Sequence, residues 1–190
     1  MRKILVIDAH PDADRGHFVH ALADAYAAGA GKHEVRKLVL AGIDFPLVRR
    51  TKDWLEGEPP AAIAQAQSDL RWADHVVLFY PLWLGDMPAL LKAFLEQVMR
   101  PGFAFAYREK GLPKKLLAGR SARIVVTMGM PALFYRLFYG AHSLKSLERN
   151  ILRFVGFGPV ARTVIGSVEA DLTRRQDWLV EMNRLGAAGK

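Results

Sequence analysis

The chain alternates between short, continuous apolar runs and longer stretches in which apolar residues recur with helical spacing. The clearest run extends from Val76 to Tyr80 and predicts a strand buried on both faces. A loop follows at 81–87, and apolar side chains then recur at helical intervals. Pro88 suits the first position of this helix, and Pro101-Gly102 suits its end. This segment therefore predicts a strand, a loop and a helix in succession.

The same pattern recurs along the rest of the chain. Apolar or alternating residues predict four further strands, over residues 4–7 with Asp8-Ala9 as a continuation, 34–40, 123–127 and 160–168. Helical spacing predicts further helices over residues 18–28, 61–73, about 132–154, and 171–185, the last with Asp171 as its N-cap. Residues 41–59 and 101–119 are expected to be long surface connections.

This alternation of strands and helices predicts a single α/β domain over residues 1–190, with a parallel sheet covered by helices on both faces. Five strands permit the order 2-1-3-4-5, in which strands 1 and 3 flank the switch point of the sheet. Ligands bind beside such a point, at the carboxyl ends of the strands. The loops at His10–Gly16 and Pro81–Met87 fall there, so we expect them to form a ligand site.

The composition narrows the class of protein. An apolar fraction of 51% is ample for a core, and the absence of cysteine excludes disulfides and a cysteine nucleophile. No apolar run reaches the roughly 18 residues that a membrane helix needs. The first residues enter a strand directly, without the layout of a signal peptide. We therefore expect a soluble, cytoplasmic protein.

The net charge of +8 is concentrated in one part of the chain. Residues 100–153 carry 11 Lys and Arg against 2 Asp and Glu. Such a segment attracts anions, whether nucleic acid, acidic lipid or a phosphorylated cofactor, although a solvated basic surface is an equally good interpretation. We find no known module with interleaved basic and aromatic residues, so we expect no nucleic-acid partner.

The loop after the first strand is a candidate anion site because it leads into a helix N-terminus. Gly16 would let the backbone approach an anion closely, and His10 and His17 could donate hydrogen bonds to a phosphate. An ordinary turn is the alternative. The Gly-x-Gly-x-x-Gly and Walker patterns are absent, which disfavours a Rossmann dinucleotide site or a nucleotide hydrolase.

The loop after the third strand is apolar and offers few acids, bases or nucleophiles. Trp83 and Leu84 suit contact with a flat cofactor ring that carries the chemistry itself, or they could simply be part of the core. No Gly-x-Ser-x-Gly elbow is present, which argues against a hydrolase. His17 and His20 have spacing that could hold a metal, but no nearby residue completes a ligand set, so we expect none.

Three segments make the chain recognisable over roughly residues 3–168. They are the strand ending in His-Pro at 4–11, the run Tyr80-Pro81-Leu82-Trp83-Leu84-Gly85-Asp86-Met87-Pro88-Ala89-Leu90-Leu91-Lys92, and Val125-Val126-Thr127-Met128-Gly129. With these segments the chain resembles the NAD(P)H:quinone oxidoreductases of flavodoxin-like fold. That family includes enzymes of the DT-diaphorase type, bacterial quinone reductases and ancillary subunits of glutathione-gated potassium efflux systems.

The resemblance implies a flavodoxin-like three-layer sandwich that binds a flavin, with NAD(P)H as electron donor. FMN is favoured over FAD because the chain is short and shows no additional adenosine pocket. The implied flavin-binding residues are His10, Gly16, His17 and Phe18 at the phosphate end, Pro81, Leu82, Trp83 and Leu84 along the isoalloxazine, and Thr127, Met128, Gly129 and Met130 at the pyrimidine edge. The two methionines depart from the Thr-Thr-Gly-Gly pattern of the family.

The resemblance also implies catalytic and substrate-binding residues. Tyr135 and His142 would stabilise charge on the reduced flavin, although His142 lies one position beyond the spacing of the family histidine, and Tyr135 could instead be a core aromatic. Phe105 and Tyr107 match aromatics that line the substrate site of the neighbouring subunit. We therefore expect a two-fold homodimer, in which surplus aromatic side chains are buried at the interface.

The expected function is the reduction of quinones or similar electrophiles by two-electron hydride transfer in ping-pong order. Two alternatives remain open at this point. One is a regulatory ancillary subunit of a membrane potassium efflux system, which would associate peripherally with the transporter. The other is a non-enzymatic electron carrier of the flavodoxin type, against which the basic charge of the chain argues.

Overall fold

A computed structural model describes residues 1–170 and 172–190. Its main sheet has five parallel strands, β1 (Lys3–Asp8), β2 (Glu34–Val39), β3 (His75–Pro81), β4 (Ser121–Thr127) and β5 (Val160–Ile165). Their order in the sheet is β2-β1-β3-β4-β5. Both the flavodoxin-like fold and the predicted order 2-1-3-4-5 are confirmed.

Helices cover both faces of the sheet. They are α1 (Phe18–Gly29), α2 (Thr51–Leu55), α3 (Ala61–Trp72), α4 (Ala89–Val98), α5 (Ala132–Leu137), α6 (His142–Ser146), α7 (Arg153–Val155) and α8 (Leu172–Ala187). A 3₁₀ turn lies at Leu40–Gly42, and a π-helical segment at Leu147–Leu152 joins α6 to α7. None of the helices in the described residues is long and apolar enough to cross a membrane.

The continuous apolar runs form strands because the sheet has a core on each side. Successive residues of β1 point to opposite faces, so Ile4 and Val6 pack with α1 and α8, while Leu5 and Ile7 pack with α3 and α4. All residues of β3 are buried, as expected for a central strand. This sandwich places the loops after β1, β3 and β4 side by side at one edge.

The single helix predicted over residues 132–154 is wrong. α5 ends at Leu137, and the chain turns at Gly140 and Ala141, which have φ of 57° and 50°. Two successive residues in the left-handed region cannot continue a right-handed helix, so helical structure restarts at α6 and runs on to Val155. Ala141 is buried, and an apolar pattern does not reveal such a turn.

Smaller differences concern element ends and the two long connections. β5 ends at Ile165 rather than at residue 168. The connection at 41–59 contains α2, and the one at 101–119 contains a two-residue antiparallel pairing of Phe105–Ala106 with Lys114–Lys115. The predicted cap, Asp171, lies outside the described residues.

Candidate active site

The loops at the carboxyl ends of β1, β3 and β4 enclose a cleft of about 350 Å³. Ten of the twelve residues predicted to contact a flavin line it: His10, Gly16, His17, Phe18, Pro81, Leu82, Trp83, Thr127, Met128 and Gly129. Leu84 and Met130 lie outside its lining. The cleft occupies the switch point of the sheet, where ligands of such folds bind. The role of these residues as flavin contacts stays a prediction.

The first loop of the cleft is held by its own acidic side chains. One carboxylate oxygen of Asp12 accepts a hydrogen bond from the backbone N–H of Asp14 at 2.9 Å, and one of Asp14 accepts from that of Gly16 at 2.9 Å. Within the described residues no side chain caps α1, whose N-cap residue is His17. The first N–H groups of a helix lack intrahelical partners, so this end of the cleft suits an anion.

The tautomer of His10 follows from its backbone contact. Its Nδ1 lies 3.1 Å from the backbone N of Asp12 and 3.2 Å from the carbonyl oxygen of the same residue. The shorter contact is a hydrogen bond donated by the N–H of Asp12, and with Nδ1 as its acceptor the proton of the neutral ring is on Nε2. Burial lowers the pKa of His10 below its ordinary value, which favours this neutral form. The ring of His17 stacks on it at 3.9 Å between centroids. His10 therefore offers the cleft one N–H donor.

A buried contact between Asp8 and His20 lies beneath this loop and was not anticipated from the sequence. Asp8 is fully buried at the end of β1, and both of its carboxylate oxygens lie within 2.9 Å of His20 Nδ1. Arg15 and Lys37 approach the same carboxylate at 3.5 and 3.7 Å. In the sequence, the spacing of His20 from His17 indicated only a possible metal ligand. In the part of the chain that the structure describes, no group of three or more His, Cys, Asp or Glu is arranged to hold a metal ion.

The second loop forms a tight hairpin. The backbones of Trp83 and Asp86 exchange hydrogen bonds of 2.9 and 3.0 Å, and the two residues between them, Leu84 and Gly85, have φ of 48° and 80°. Two central residues with positive φ are typical of a type I′ turn. Leu84 is fully exposed at the tip, whereas Trp83 faces the cleft with its ring edge-on to His10 at 5.9 Å.

The third loop closes the cleft opposite the first. The carbonyl of Thr127 accepts a hydrogen bond from Leu82 N–H at 2.7 Å, which joins the second and third loops. The side chain of Met128 is buried in the core. Gly129 is exposed, and a Cβ placed on it would meet no atom of the described residues within 4 Å. Met128 departs from the family pattern, but because its side chain is buried in the core it does not fill the open space beside Gly129 at this edge of the cleft.

Arg175 is a cleft residue that the sequence reasoning missed. It lies on α8, donates a hydrogen bond to the carbonyl of Val168, and places its guanidinium 5.2 Å from the ring of Phe18. Among the described residues that line the cleft, it alone carries a permanent positive charge. The sequence offered one indication of this contact. α8 follows the last strand, and the carboxyl end of that strand lies at the same edge of the sheet as the cleft, so residues near the start of α8 could have been expected there.

Comparison with known proteins supports this architecture. Residues 2–184 match the family model of the flavodoxin-like fold. The chain belongs to this family. A relative from Nitratidesulfovibrio vulgaris, named FMN-dependent NADH:quinone oxidoreductase, is 28% identical over 182 residues, covering 87% of this chain and 86% of the relative. Rat NAD(P)H dehydrogenase [quinone] 1 is also 28% identical, over 195 residues, covering 88% of this chain and 70% of the rat protein.

Solved structures agree with the fold. The NAD(P)H:quinone oxidoreductase of Methanothermobacter marburgensis superposes with a TM-score of 0.82 at 22% identity, covering 98% of this chain and 96% of that one. At this identity the likeness shows the flavodoxin-like fold alone.

The structure does not bring the predicted catalytic residues of this flavodoxin-like chain to the cleft. Tyr135 is buried, and its hydroxyl bonds to Ser143 Oγ at 2.8 Å and accepts the N–H of Leu144 at 3.2 Å. These contacts join α5 to α6 and favour the core interpretation of this tyrosine. His142 is exposed and does not line the cleft. The catalytic role of Tyr135 and of His142 stays a prediction.

The predicted substrate-binding residues lie elsewhere within this chain. Phe105 is buried and Tyr107 is exposed, and their rings meet edge to face at 5.3 Å. Both line a separate hollow of about 240 Å³ together with Trp54 and Phe154. Within one chain this hollow is distinct from the cleft, so a role in the site would require a second subunit.

Proposed function

We propose that this protein is an FMN-dependent NAD(P)H oxidoreductase that reduces quinones or similar planar electrophiles by two-electron hydride transfer in ping-pong order. The observation that carries the proposal is the convergence in one cleft of an uncapped helix N-terminus, a flat apolar loop and an open glycine edge. Two relatives that cover most of the chain are named as quinone oxidoreductases, one of them FMN-dependent.

The donors of the cleft fit the phosphate end of FMN. The uncapped end of α1, the Nε2–H of His10 and the guanidinium of Arg175 all lie on its lining. The terminal phosphate of FMN is a monoester that concentrates up to two negative charges on one group, whereas each phosphate of FAD carries one. The lining also includes Glu169, so the donors that face a phosphate are these three groups rather than a uniformly positive surface.

The opposite part of the cleft suits a flat ring. Pro81, Leu82 and Trp83 provide an apolar wall, and they would hold the isoalloxazine and exclude water from one of its faces. The N–H of Gly129 makes no hydrogen bond within the described residues. It is a donor available at the edge where a reduced flavin carries negative charge. When bound, FMN supplies the hydride chemistry itself, and the chain binds, orients and shields it.

We further propose that the protein is a two-fold homodimer in the cytoplasm, where NAD(P)H would be at hand. Exposed apolar side chains cluster just after the third loop of the cleft: Leu133, Phe134, Leu137, Phe138 and Tyr139. The rings of Phe134 and Phe138 stack at 4.9 Å between centroids, so the cluster is contiguous. Patches of this kind usually mark interfaces, and most homo-oligomers are two-fold. No observation favours a transporter subunit or a one-electron carrier.

The visible spectrum of the purified protein tests the cofactor and the donor together. We expect a flavin spectrum that is bleached by NADH or NADPH without oxygen and restored by a quinone. Double-reciprocal plots should give parallel lines, because one flavin would serve both substrates in turn. A protein that neither contains nor binds FMN would overturn the proposal, and intersecting lines would overturn the ping-pong order.

Sedimentation tests the assembly: an active, flavin-loaded monomer would contradict the dimer.

A further inference from the structure

His20 is placed between two acceptors under the first loop of the cleft. Its Nδ1 lies 2.8 and 2.9 Å from the two carboxylate oxygens of Asp8, and its Nε2 lies 2.9 Å from the carbonyl oxygen of Asp12. An ionised carboxylate and a carbonyl can only accept, so a ring that satisfies both must carry a proton on each nitrogen. The ring is 1% exposed, and its contact with Asp8 is buried, whereas its contact with the exposed Asp12 is partly buried.

The charges around the ring permit an imidazolium. Asp8 balances it directly at the end of β1. The other titratable groups near the pair come from the first loop, α1 and β2: Asp12, Arg15, His10, His17, Asp24 and Lys37. Asp24 pairs with both Arg15 and Lys37, so it balances part of the positive charge that these two side chains bring near Asp8.

The contact of His20 with Asp12 connects it to the cleft. Asp12 accepts from His20 through its carbonyl and donates through its N–H to Nδ1 of His10. Nδ1 of His10 also lies 3.2 Å from the carbonyl oxygen of Asp12, but that oxygen already accepts from His20. The shorter N–H contact leaves the proton of His10 on Nε2, which bonds to no protein atom in the described residues. Asp8, His20, Asp12 and His10 thus form one hydrogen-bonded chain from the end of β1 to the lining of the cleft.

We propose that His20 is a positioning residue, which fixes the backbone of Asp12 so that His10 presents its Nε2–H to the terminal phosphate of FMN. The inference rests on the proposed function, because it requires FMN at this loop. The Asp8–His20 pair holds the proton that makes both bonds of His20 possible. His10 contacts the ligand, and His20 acts only through it.

Two substitutions test the two hydrogen bonds of His20, to Asp8 and to Asp12, separately. The amide of Asn reaches about as far as Nδ1 and can still donate to Asp8, whereas the longer Gln reaches about as far as Nε2 and can still donate to Asp12. His20→Asn and His20→Gln, in the full-length chain freed of flavin, would be titrated with FMN and with riboflavin, which lacks the phosphate. His33→Asn is the control: His33 also bonds through both ring nitrogens, to Arg2 N–H and to the carbonyl oxygen of Ala187, away from the cleft.

We expect His20→Asn to weaken FMN binding about tenfold, which corresponds to one hydrogen bond to a charged group, and to leave riboflavin binding unchanged. His20→Gln should bind FMN much more tightly than His20→Asn does, and His33→Asn should bind both ligands as the parent does. A purely structural role of His20 predicts instead that both ligands are lost together, in step with stability. That result, or equal FMN affinities for the Asn and Gln variants, would overturn the inference.

A measurement on the unchanged protein covers the case in which a variant does not fold. Nitrogen chemical shifts of the flavin-free chain should show His20 protonated on both nitrogens and His10 protonated only on Nε2. A neutral His20 with an unprotonated Nε2, or His10 protonated on Nδ1, would overturn the inference without a substitution. If the parent binds FMN no more tightly than it binds riboflavin, the placement of the phosphate in the proposed function fails as well. Tight FMN binding with unaltered variants overturns the positioning role alone.

Discussion

Acid should destabilise the fold through His75, the first residue of β3. Its ring is 3% exposed and hydrogen-bonds through Nδ1 to Ser121 Oγ at 2.7 Å. Burial, with the nearby charges of Arg2 and Arg123, lowers the pKa of His75 from 6.5 to about 4. The folded protein therefore keeps this ring neutral at a pH where the unfolded chain has already bound a proton.

The sign and size of the effect follow from this difference. The contribution of His75 is fully present above its unfolded pKa, and it is lost as the pH falls from about 6.5 towards about 4. A gap of about 2.5 pKa units corresponds to about 3.4 kcal/mol in total. By about pH 5 the unfolded ring is almost fully protonated and the folded ring about one-tenth protonated, so about 2 kcal/mol is lost relative to about pH 8.

Urea unfolding at these two pH values, on the parent and on His75→Asn, measures the effect. Asparagine keeps a hydrogen-bonding group near Ser121 but does not titrate in this range, and every other acid-sensitive group is common to both chains. The free energy of unfolding of the parent should therefore fall by about 2 kcal/mol more than that of the variant. An equal fall in the two proteins would refute the reasoning and indicate that the folded ring accepts a proton.

Three further predictions concern the cleft and Tyr135. Gly129→Val should weaken FMN binding more than about tenfold by filling open cleft space. Gly42→Val should bind FMN normally, because a Cβ there also meets no atom of the described residues within 4 Å but lies outside the cleft. Arg175→Gln should weaken FMN binding by about 1.5–3 kcal/mol and spare riboflavin; equal losses of both ligands would argue against a phosphate contact. Tyr135→Phe should lower the free energy of unfolding by about 1–3 kcal/mol in a urea titration. A fully stable Tyr135→Phe with reduced turnover would favour the catalytic role instead.

The sequence by itself determined the fold and the place of the candidate site. Apolar runs such as Val76–Tyr80 and repeats such as α4 are local patterns whose period is set by the backbone geometry of strand or helix. Their alternation predicts a parallel sheet through general rules of connection, and the order 2-1-3-4-5 is one that five such strands permit. The loops after the first and third strands could therefore be assigned to one edge, and the structure encloses the cleft between them.

Only the tertiary structure decided which polar groups meet. Asp8 and His20 are 12 residues apart, and Arg175 reaches the ring of Phe18 across the chain, so no local pattern reports either contact. Arg100 is a similar case: it is buried because its guanidinium bonds to the carbonyls of Asp53 and Gly57 in the connection before α3. Each of these polar groups can be buried only because a distant segment supplies a hydrogen-bond partner, which offsets the cost of removing the group from water.

The turn that separates α5 from α6 has the same origin. Residues 132–154 have an uninterrupted apolar periodicity, and a sequence pattern cannot show that Ala141 takes a left-handed conformation. That conformation costs energy locally, and the burial of Tyr135, with its hydroxyl bonded to Ser143 and Leu144, offsets it. The apolar periodicity of a segment indicates the secondary structure that the segment favours by itself. The packing of several elements determines where a helix is interrupted and which of its side chains reach the site.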